Sequence, residues 1–148
     1  MIFNAISKEL LIAAAAWFAA QFIKCIICLV MNRSLPLNVA FGSGGMPSSH
    51  SATVCALTTS IGISCGTNSQ IFALCCIFSF IVMYDAMGVR RETGDQGKAI
   101  NSMIQILEDM GKPISVEKKL KELVGHTPLQ VVCGAILGIA VGFALTQL

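Results

Sequence analysis

Four long apolar runs dominate this chain, at about residues 10–31, 51–66, 70–87 and 128–147. Each is close to the ~20 residues that a helix needs to cross ~30 Å of hydrocarbon. Backbone groups in lipid must be paired within the chain, and four segments cannot close a β-barrel, so the runs predict helices. The composition agrees, with 55% hydrophobic and 12% charged residues. We predict an all-α integral membrane bundle of four transmembrane helices, forming a single domain over residues 1–148.

The first two runs are the least regular. The second is short and rich in Ser and Thr, so part of residues 47–50 is expected to complete its crossing. The first resembles a secretory signal, because Ala13–Ala16 and Ala19–Ala20 are small residues like those near cleavage sites. Against cleavage, Lys8 is offset by Glu9 and Lys24 lies inside the run. We therefore expect a retained span.

Two polar connections, residues 32–50 and 88–127, are separated by two predicted spans and should emerge on the same membrane face. They hold eight of the ten basic residues, namely Arg33, Arg90, Arg91, Lys98, Lys112, Lys118, Lys119 and Lys121. Excess positive charge is typical of cytoplasmic loops. We therefore predict that this face is cytoplasmic, at the inner or plasma membrane in a bacterium, with both termini outside.

The 88–127 connection is predicted to form one or two amphipathic helices on this face. Apolar residues recur at helical spacing before and after the break at Gly111-Lys112-Pro113. The first set is Ala99, Ile100, Met103, Ile104 and Leu107, and the second is Val116, Leu120, Leu123 and Val124. The charged residues of the second helix, Glu117, Lys118, Lys119, Lys121 and Glu122, are then a solvated face.

The cysteines do not indicate a metal site or a disulfide framework. Nearly all of the seven, at positions 25, 28, 55, 65, 75, 76 and 133, fall within apolar runs. Cys25 and Cys28 have CxxC spacing, but neither a second CxxC nor a nearby histidine accompanies them. We expect small thiols that pack between helices.

The only two histidines each stand just before an apolar run. His50 ends Gly44-Gly45-Met46-Pro47-Ser48-Ser49-His50, and His126 lies in Gly125-His126-Thr127-Pro128. A helix start with Ser48 and Ser49 can bind an anion through amides and hydroxyls, or can simply be capped by serine. Thr127 and Pro128 suit a helix cap and a first helical residue. Four residues after His126, Gln130 can reach its ring along one helix face.

Cationic residues flank the same face. Lys24 lies inside the first run, where a charge indicates either function or snorkelling to the interface. Arg33 follows that run, and Arg90 and Arg91 follow the third, after Asp85. Displacement at a phosphate ester needs fixed cations, hydroxyl or amide donors, a nucleophile and an acid. All four classes of group are present at this face, and we expect one of the two adjacent arginines to be essential.

The order of these motifs is similar to that of the type 2 phosphatidic acid phosphatase and vanadium haloperoxidase superfamily. GGMPSSHSA, YDAMGVRRETGDQ and LVGHTP resemble its small divergent bacterial and plastid branch, over nearly the whole chain. The resemblance implies phosphoryl transfer without a metal or other cofactor. His126 would be the nucleophile and His50 the general acid. The implied phosphate ligands are Lys24, Arg33, Ser48, Ser49, Arg90 and Arg91.

The chain departs from the parent pattern at several positions. Eight residues separate Lys24 from Arg33, where the parent has six and an Arg-Pro, and Ser49 replaces a glycine. The carboxylate expected four residues after the nucleophile is Gln130, which can orient the ring but brings no negative charge. Asp85, Asp95 and Glu122 are alternative supporting carboxylates.

These observations predict a metal-independent membrane phosphatase that hydrolyses a lipid phosphate monoester or diphosphate through a phosphohistidine. The lipid could be phosphatidylglycerophosphate, phosphatidate or a polyprenyl (di)phosphate. The alternatives are a non-catalytic module that binds or transports lipid phosphates, and a structural subunit of a larger complex. We expect the membrane and a lipid phosphate as partners, and no nucleic acid. Gly134, Gly138 and Gly142 permit close helix contact within the protomer or in a homo-oligomer.

Overall fold

The computed structural model describes residues 7–32, 45–111 and 126–148. They form five helices, α1 (Lys8–Asn32), α2 (Ser49–Cys65), α3 (Gln70–Met87), α4 (Val89–Asp109) and α5 (Pro128–Thr146), and no strand occurs among them. The prediction of an all-α membrane bundle is confirmed. Arg33, Glu122 and the second amphipathic helix predicted around Val116–Val124 lie outside the described residues.

Within the described residues, three stretches are long and apolar enough to cross a bilayer. They are Lys8–Val30 in α1, a window within Gln70–Asp109 that covers α3, and α5. The fourth predicted span, α2, has only 17 residues, about 25 Å at 1.5 Å per residue. It begins at Ser49, so residues 49 and 50 of the predicted 47–50 extension do lie in the helix.

The short helix α2 lies at the centre of the bundle. It contacts α1, α3 and α5, and α1 also contacts α5. Ile12 and Ala16 of α1 pack there against Ala56 of α2, with Val141 and Leu145 of α5 alongside. The outer helices instead expose large apolar side chains such as Phe18, Phe80 and Phe143. Because protein surrounds α2 where lipid surrounds its neighbours, its Ser and Thr content is compatible with a place inside the membrane.

Three glycines of α5 allow it to pack closely against α2. A Cβ atom at Gly134 would lie 2.3 Å from the Ser48 carbonyl oxygen, and one at Gly138 would lie 2.3 Å from that of Ala52. At Gly142, the corresponding distance to the Ala56 oxygen is 2.7 Å. The four-residue glycine spacing therefore serves a contact within the protomer.

Hydroxyl groups join α2 to α3. Thr58 Oγ1 lies 2.7 Å from Ser79 Oγ, and Ser79 Oγ donates to the Val54 carbonyl at 3.2 Å. Thr58 Oγ1 also lies within hydrogen-bond distance of the Val54 and Cys75 carbonyls. A hydroxyl group that donates to a helix carbonyl has its hydrogen-bonding requirement met inside the membrane, and between two helices such a bond also holds them together. Part of the polarity of α2 is thus used in packing.

The bundle has two distinct ends. Lys8 Nζ, at the start of α1, donates to the carbonyl oxygen of Thr146 at the end of α5 at 3.1 Å. At the opposite end, α2 and α5 begin beside the two histidines. The turn between α2 and α3, residues 66–69, lies at the Lys8 end. It opens at Gly66 with φ +84°, a backbone conformation that favours glycine.

The cysteines are all free thiols. Cys28 and Cys55 are buried, and Cys55 Sγ lies 3.9 Å from Met83 Sδ of α3. These two cysteines are buried in the bundle, as predicted for thiols that pack between helices, whereas Cys65 is exposed.

The predicted amphipathic helix is present as α4, which follows α3 after Gly88. Its apolar residues differ from one another in burial. Ile104 is buried and Leu107 half-buried, but Ile100 and Met103 are exposed. A helical period marks apolar faces without showing which of them meets protein, and here only part of the apolar surface does.

Candidate functional site

The two histidines meet at one end of the bundle. The ring centroids of His50 and His126 are 5.8 Å apart, with an interplanar angle of 65°. A hydrogen bond of about 2.8 Å places an anion oxygen roughly 4 Å from the centre of an imidazole ring. The sum of two such distances exceeds the separation of the ring centroids, so one tetrahedral oxyanion can contact both rings.

Backbone hydrogen bonds set this meeting point. The Ser48 amide, just before α2, donates to the Gln130 carbonyl in the first turn of α5 at 3.0 Å. The His126 amide, just before α5, donates to the Ala86 carbonyl near the end of α3 at 3.1 Å. The starts of α2 and α5 and the end of α3 are therefore fixed to one another, and each histidine is attached to a rigid element.

Gln130 determines how the His126 ring is oriented. Its side-chain Oε1 accepts the Thr127 amide at 3.1 Å and lies 3.2 Å from His126 Nδ1. A backbone amide can only donate, so the atom that faces it is the oxygen of the Gln130 amide. His126 Nδ1 must then donate to this oxygen, which places the lone pair of the neutral ring on Nε2.

The same glutamine completes a helix cap. Thr127 Oγ1 accepts the Gln130 amide at 3.4 Å, and Pro128 follows as the first helical residue, as the sequence predicts. These reciprocal bonds form a capping box, which satisfies two amides at the helix start. Because the cap fixes the Gln130 side chain, it also fixes the tautomer of His126.

Electrostatics at this end favour an anion. Both α2 and α5 begin at the histidine pair, so the positive ends of two helix dipoles point towards it. His126 is 1% exposed and His50 is half-buried. Burial lowers the local dielectric constant, which strengthens the attraction of these dipoles for a phosphate-like group.

Lys24 extends into the same end of the bundle from α1. Its side chain is 2% exposed, so it is enclosed by protein and does not snorkel outwards. A Cβ atom at Gly45 would lie 3.2 Å from Lys24 Cγ and Cδ, so the backbone before the histidine motif packs on the lysine stem. Gly45 also has φ +89°. The buried cation is thus packed against the segment that leads to His50.

The two predicted serines are buried, and Ser48 has a structural role. Ser48 Oγ caps α2 by accepting the Ser51 amide at 3.4 Å, which is the capping interpretation of the motif. The Ser49 carbonyl accepts Thr53 Oγ1 at 2.7 Å. The Ser48 hydroxyl hydrogen remains available for donation, since the cap uses only its oxygen.

Two of the predicted supporting carboxylates, Asp85 and Asp95, lie among the described residues. Asp85 is exposed near the end of α3, and Asp95 pairs with Lys98 at 3.1 Å on the surface of α4. The group on His126 Nδ1 is instead the neutral amide of Gln130. Arg90 and Arg91 lie in the first turn of α4, and their side chains are not described. Among the described residues, no three His, Cys, Asp or Glu side chains gather as a metal site.

Two positions that hold the site together were missed from the sequence. Gly45 packs on Lys24, and the Ala86 carbonyl anchors His126. The Gly44-Gly45 pair before the motif was a usable signal, because glycine allows close approach and a positive φ. An alanine carbonyl carries no such signal.

Comparison with known proteins identifies the family of this chain. Residues 6–141 match a family described as the Divergent PAP2 family. A protein of Bacillus subtilis (strain 168), named "Uncharacterized membrane protein YuiD", is 41% identical over 145 residues, and the match covers 92% of each chain. No solved structure matches the chain.

Proposed function

Because the chain belongs to the Divergent PAP2 family, we propose that it is a metal-independent membrane phosphatase for a lipid phosphate monoester or diphosphate. The observation that carries the proposal is the pair of imidazole rings 5.8 Å apart at one end of the bundle. A soluble substrate would not require a site between the ends of membrane helices, whereas the headgroup of a lipid lies at the membrane surface where such helices end.

His126 would act as the nucleophile. Its Nε2 lone pair, set by the hydrogen bond from Nδ1 to Gln130 Oε1, forms a bond to phosphorus while the bond to the leaving oxygen breaks. The proton on Nδ1 stays with the ring. The product is a phosphohistidine, and the side-chain amide of Gln130 lies beside its positively charged ring.

His50 would act as the general acid and then as the general base. Its proton passes to the leaving oxygen of the lipid as that bond breaks. The neutral ring then accepts a proton from water, whose oxygen attacks phosphorus and releases phosphate from His126. The enzyme returns to its starting protonation state.

The remaining groups would hold the phosphate. Lys24 supplies a buried cation, and the starts of α2 and α5 supply helix-dipole charge. Arg33, Arg90 and Arg91 are proposed as further phosphate ligands, with Ser48 and Ser49 as hydroxyl or amide donors. We also propose that this face of the membrane is cytoplasmic.

The test is phosphate release by purified protein in detergent from a panel of lipid phosphates. The wild type is compared with His126→Ala and His50→Ala, and with Lys8→Ala, a matched substitution at the opposite end of the bundle. Loss of the nucleophile is expected to lower the rate about a thousandfold or more. Full activity of His126→Ala would overturn the assignment.

The second candidate is a binding or transport module for lipid phosphates without turnover. Gln130 favours it, because an amide cannot neutralise the imidazolium that forms during attack. Binding of vanadate or phosphate by the wild type, together with no phosphate release from any lipid of the panel, would identify this function.

A further inference from the structure

The helix α4 has three distinct faces. At 100° per residue, Gly94, Gly97 and Ile104 fall on one side and are buried. A second side carries exposed polar residues, which are Asp95, Lys98, Ser102, Gln105 and Asp109. The third side, here called the apolar strip, is a separate arc of about 120°. Its exposed members are Ala99, Ile100, Met103, Ile106 and the adjoining Met110, and Leu107 on the same arc is half-buried.

The apolar strip is strongly exposed. Met103 is 63% exposed, Ile106 59% and Met110 67%. Among the described helices α4 contacts only α3, the helix that precedes it. Nearer the start of α4, Glu92 and Gln96 occupy the same arc, so the strip is confined to the last three turns.

The start of α4 is marked as the membrane boundary. Tyr84, one turn before Gly88, is 67% exposed and stacks on the exposed Phe80 at a centroid distance of 6.3 Å. Exposed tyrosines collect at the junction of headgroups and acyl chains. Asp85, beside it in sequence, is exposed as well. The helix α4 therefore begins where the lipid-facing surface of α3 ends.

We propose that α4 lies in the membrane interface with its apolar strip inserted among the acyl chains. A helix that begins at the headgroup level and keeps an exposed apolar strip beside a charged face matches the pattern of interfacial helices. If α4 projected into water, Met103, Ile106 and Met110 would all be solvated. The occupant of the strip is thus the bilayer that α3 already contacts.

The single tryptophan of the chain provides a direct test. Trp17 is changed to Phe, and a new tryptophan is placed on the strip by Met103→Trp or, independently, Ile106→Trp. Ser102→Trp, on the neighbouring polar face, is the matched control. Each variant is reconstituted in phosphatidylcholine–phosphatidylglycerol vesicles with plain or brominated acyl chains, and circular dichroism checks that helix content is retained.

Brominated chains are expected to quench emission of the two strip variants about twofold or more, and Ser102→Trp much less. Aqueous iodide should show the opposite order. Equal quenching of all three variants would overturn the proposal. The proposal would also be overturned if the strip variants gave blue-shifted emission that brominated lipid does not quench. In that case a second copy of the chain, and not lipid, would cover the strip. The outcome does not depend on phosphatase activity.

Discussion

Gln130 Oε1 lies 3.2 Å from His126 Nδ1 and 3.1 Å from the Thr127 amide nitrogen, so one amide oxygen both caps α5 and fixes the tautomer of the ring. The superfamily pattern that the chain resembles has a carboxylate at this position. A carboxylate would both orient the ring and stabilise its positive charge. Glutamine orients the ring but carries no charge, so it supplies only the first of these contributions.

Gln130→Glu should raise the rate of phosphate release. Glutamate at this position keeps the capping box with Thr127, and its charge stabilises the imidazolium formed at His126. We expect an increase of about tenfold or more in kcat, measured with the best lipid phosphate of the panel. Gln147→Glu, at the other end of α5, carries the same charge change as a control. An unchanged or lower kcat in Gln130→Glu would argue against attack by His126.

The pH dependence of kcat/KM should pass through a maximum. Acid protonates the nucleophile His126 and alkali removes the proton that His50 donates, so the rate falls on both sides. In His50→Ala only the fall towards acid should remain. A flat profile between about pH 5 and pH 9 would contradict the assigned pair, because turnover requires one histidine to be neutral and the other protonated.

Lys24→Met should weaken binding of the anion while the fold is retained. Methionine keeps much of the apolar stem that packs on Gly45 and removes the charge. Loss of one charged hydrogen bond to the anion should lower the affinity for vanadate about tenfold to a hundredfold. The affinity is measured by calorimetry. Lys8→Met, at the opposite end of the bundle, is the control. Equal affinities in both variants would remove Lys24 from the site.

Gly138→Ala should destabilise the bundle. The new methyl group would lie 2.3 Å from the Ala52 carbonyl oxygen, so α2 and α5 must separate. Overpacking of this kind costs about 1–3 kcal/mol in the free energy of unfolding, measured by denaturant titration in detergent. Val132→Ile adds one carbon to an exposed position of the same helix and should have little effect. Similar stability of the two variants would show that the contact is loose.

The apolar runs predicted the helical class well, because backbone pairing in lipid leaves few alternatives. They could not predict that α2 is central. Lipid and protein interiors are both apolar, so hydropathy does not distinguish a lipid-facing residue from one that faces another helix. The same ambiguity explains why the helical period of α4 did not show which of its apolar residues are exposed, as Met103 is at 63%, and why Gly138 fitted two kinds of contact.

The site was predictable where chemistry is carried by side chains of unusual type. The two histidines, and Lys24 within an apolar run, are rare enough to attract attention in the sequence. The reach from His126 to Gln130 follows from helical spacing. The backbone contacts at Ala86 and Gly45 depend on how helices pack in three dimensions, and residue identity reveals little of that.

The central place of α2 also bears on how the protein is made. Its main neighbour, α5, follows the other described helices in the chain, so the ribosome delivers α2 to the membrane well before the glycine face that will cover it. In that interval, among the described helices, only α1 and α3 are in place to shield its hydroxyl groups from the acyl chains. The packing of α2 is therefore completed when α5 docks, and deleting α5 would leave α2 poorly anchored and would remove Gln130 from the His126 ring.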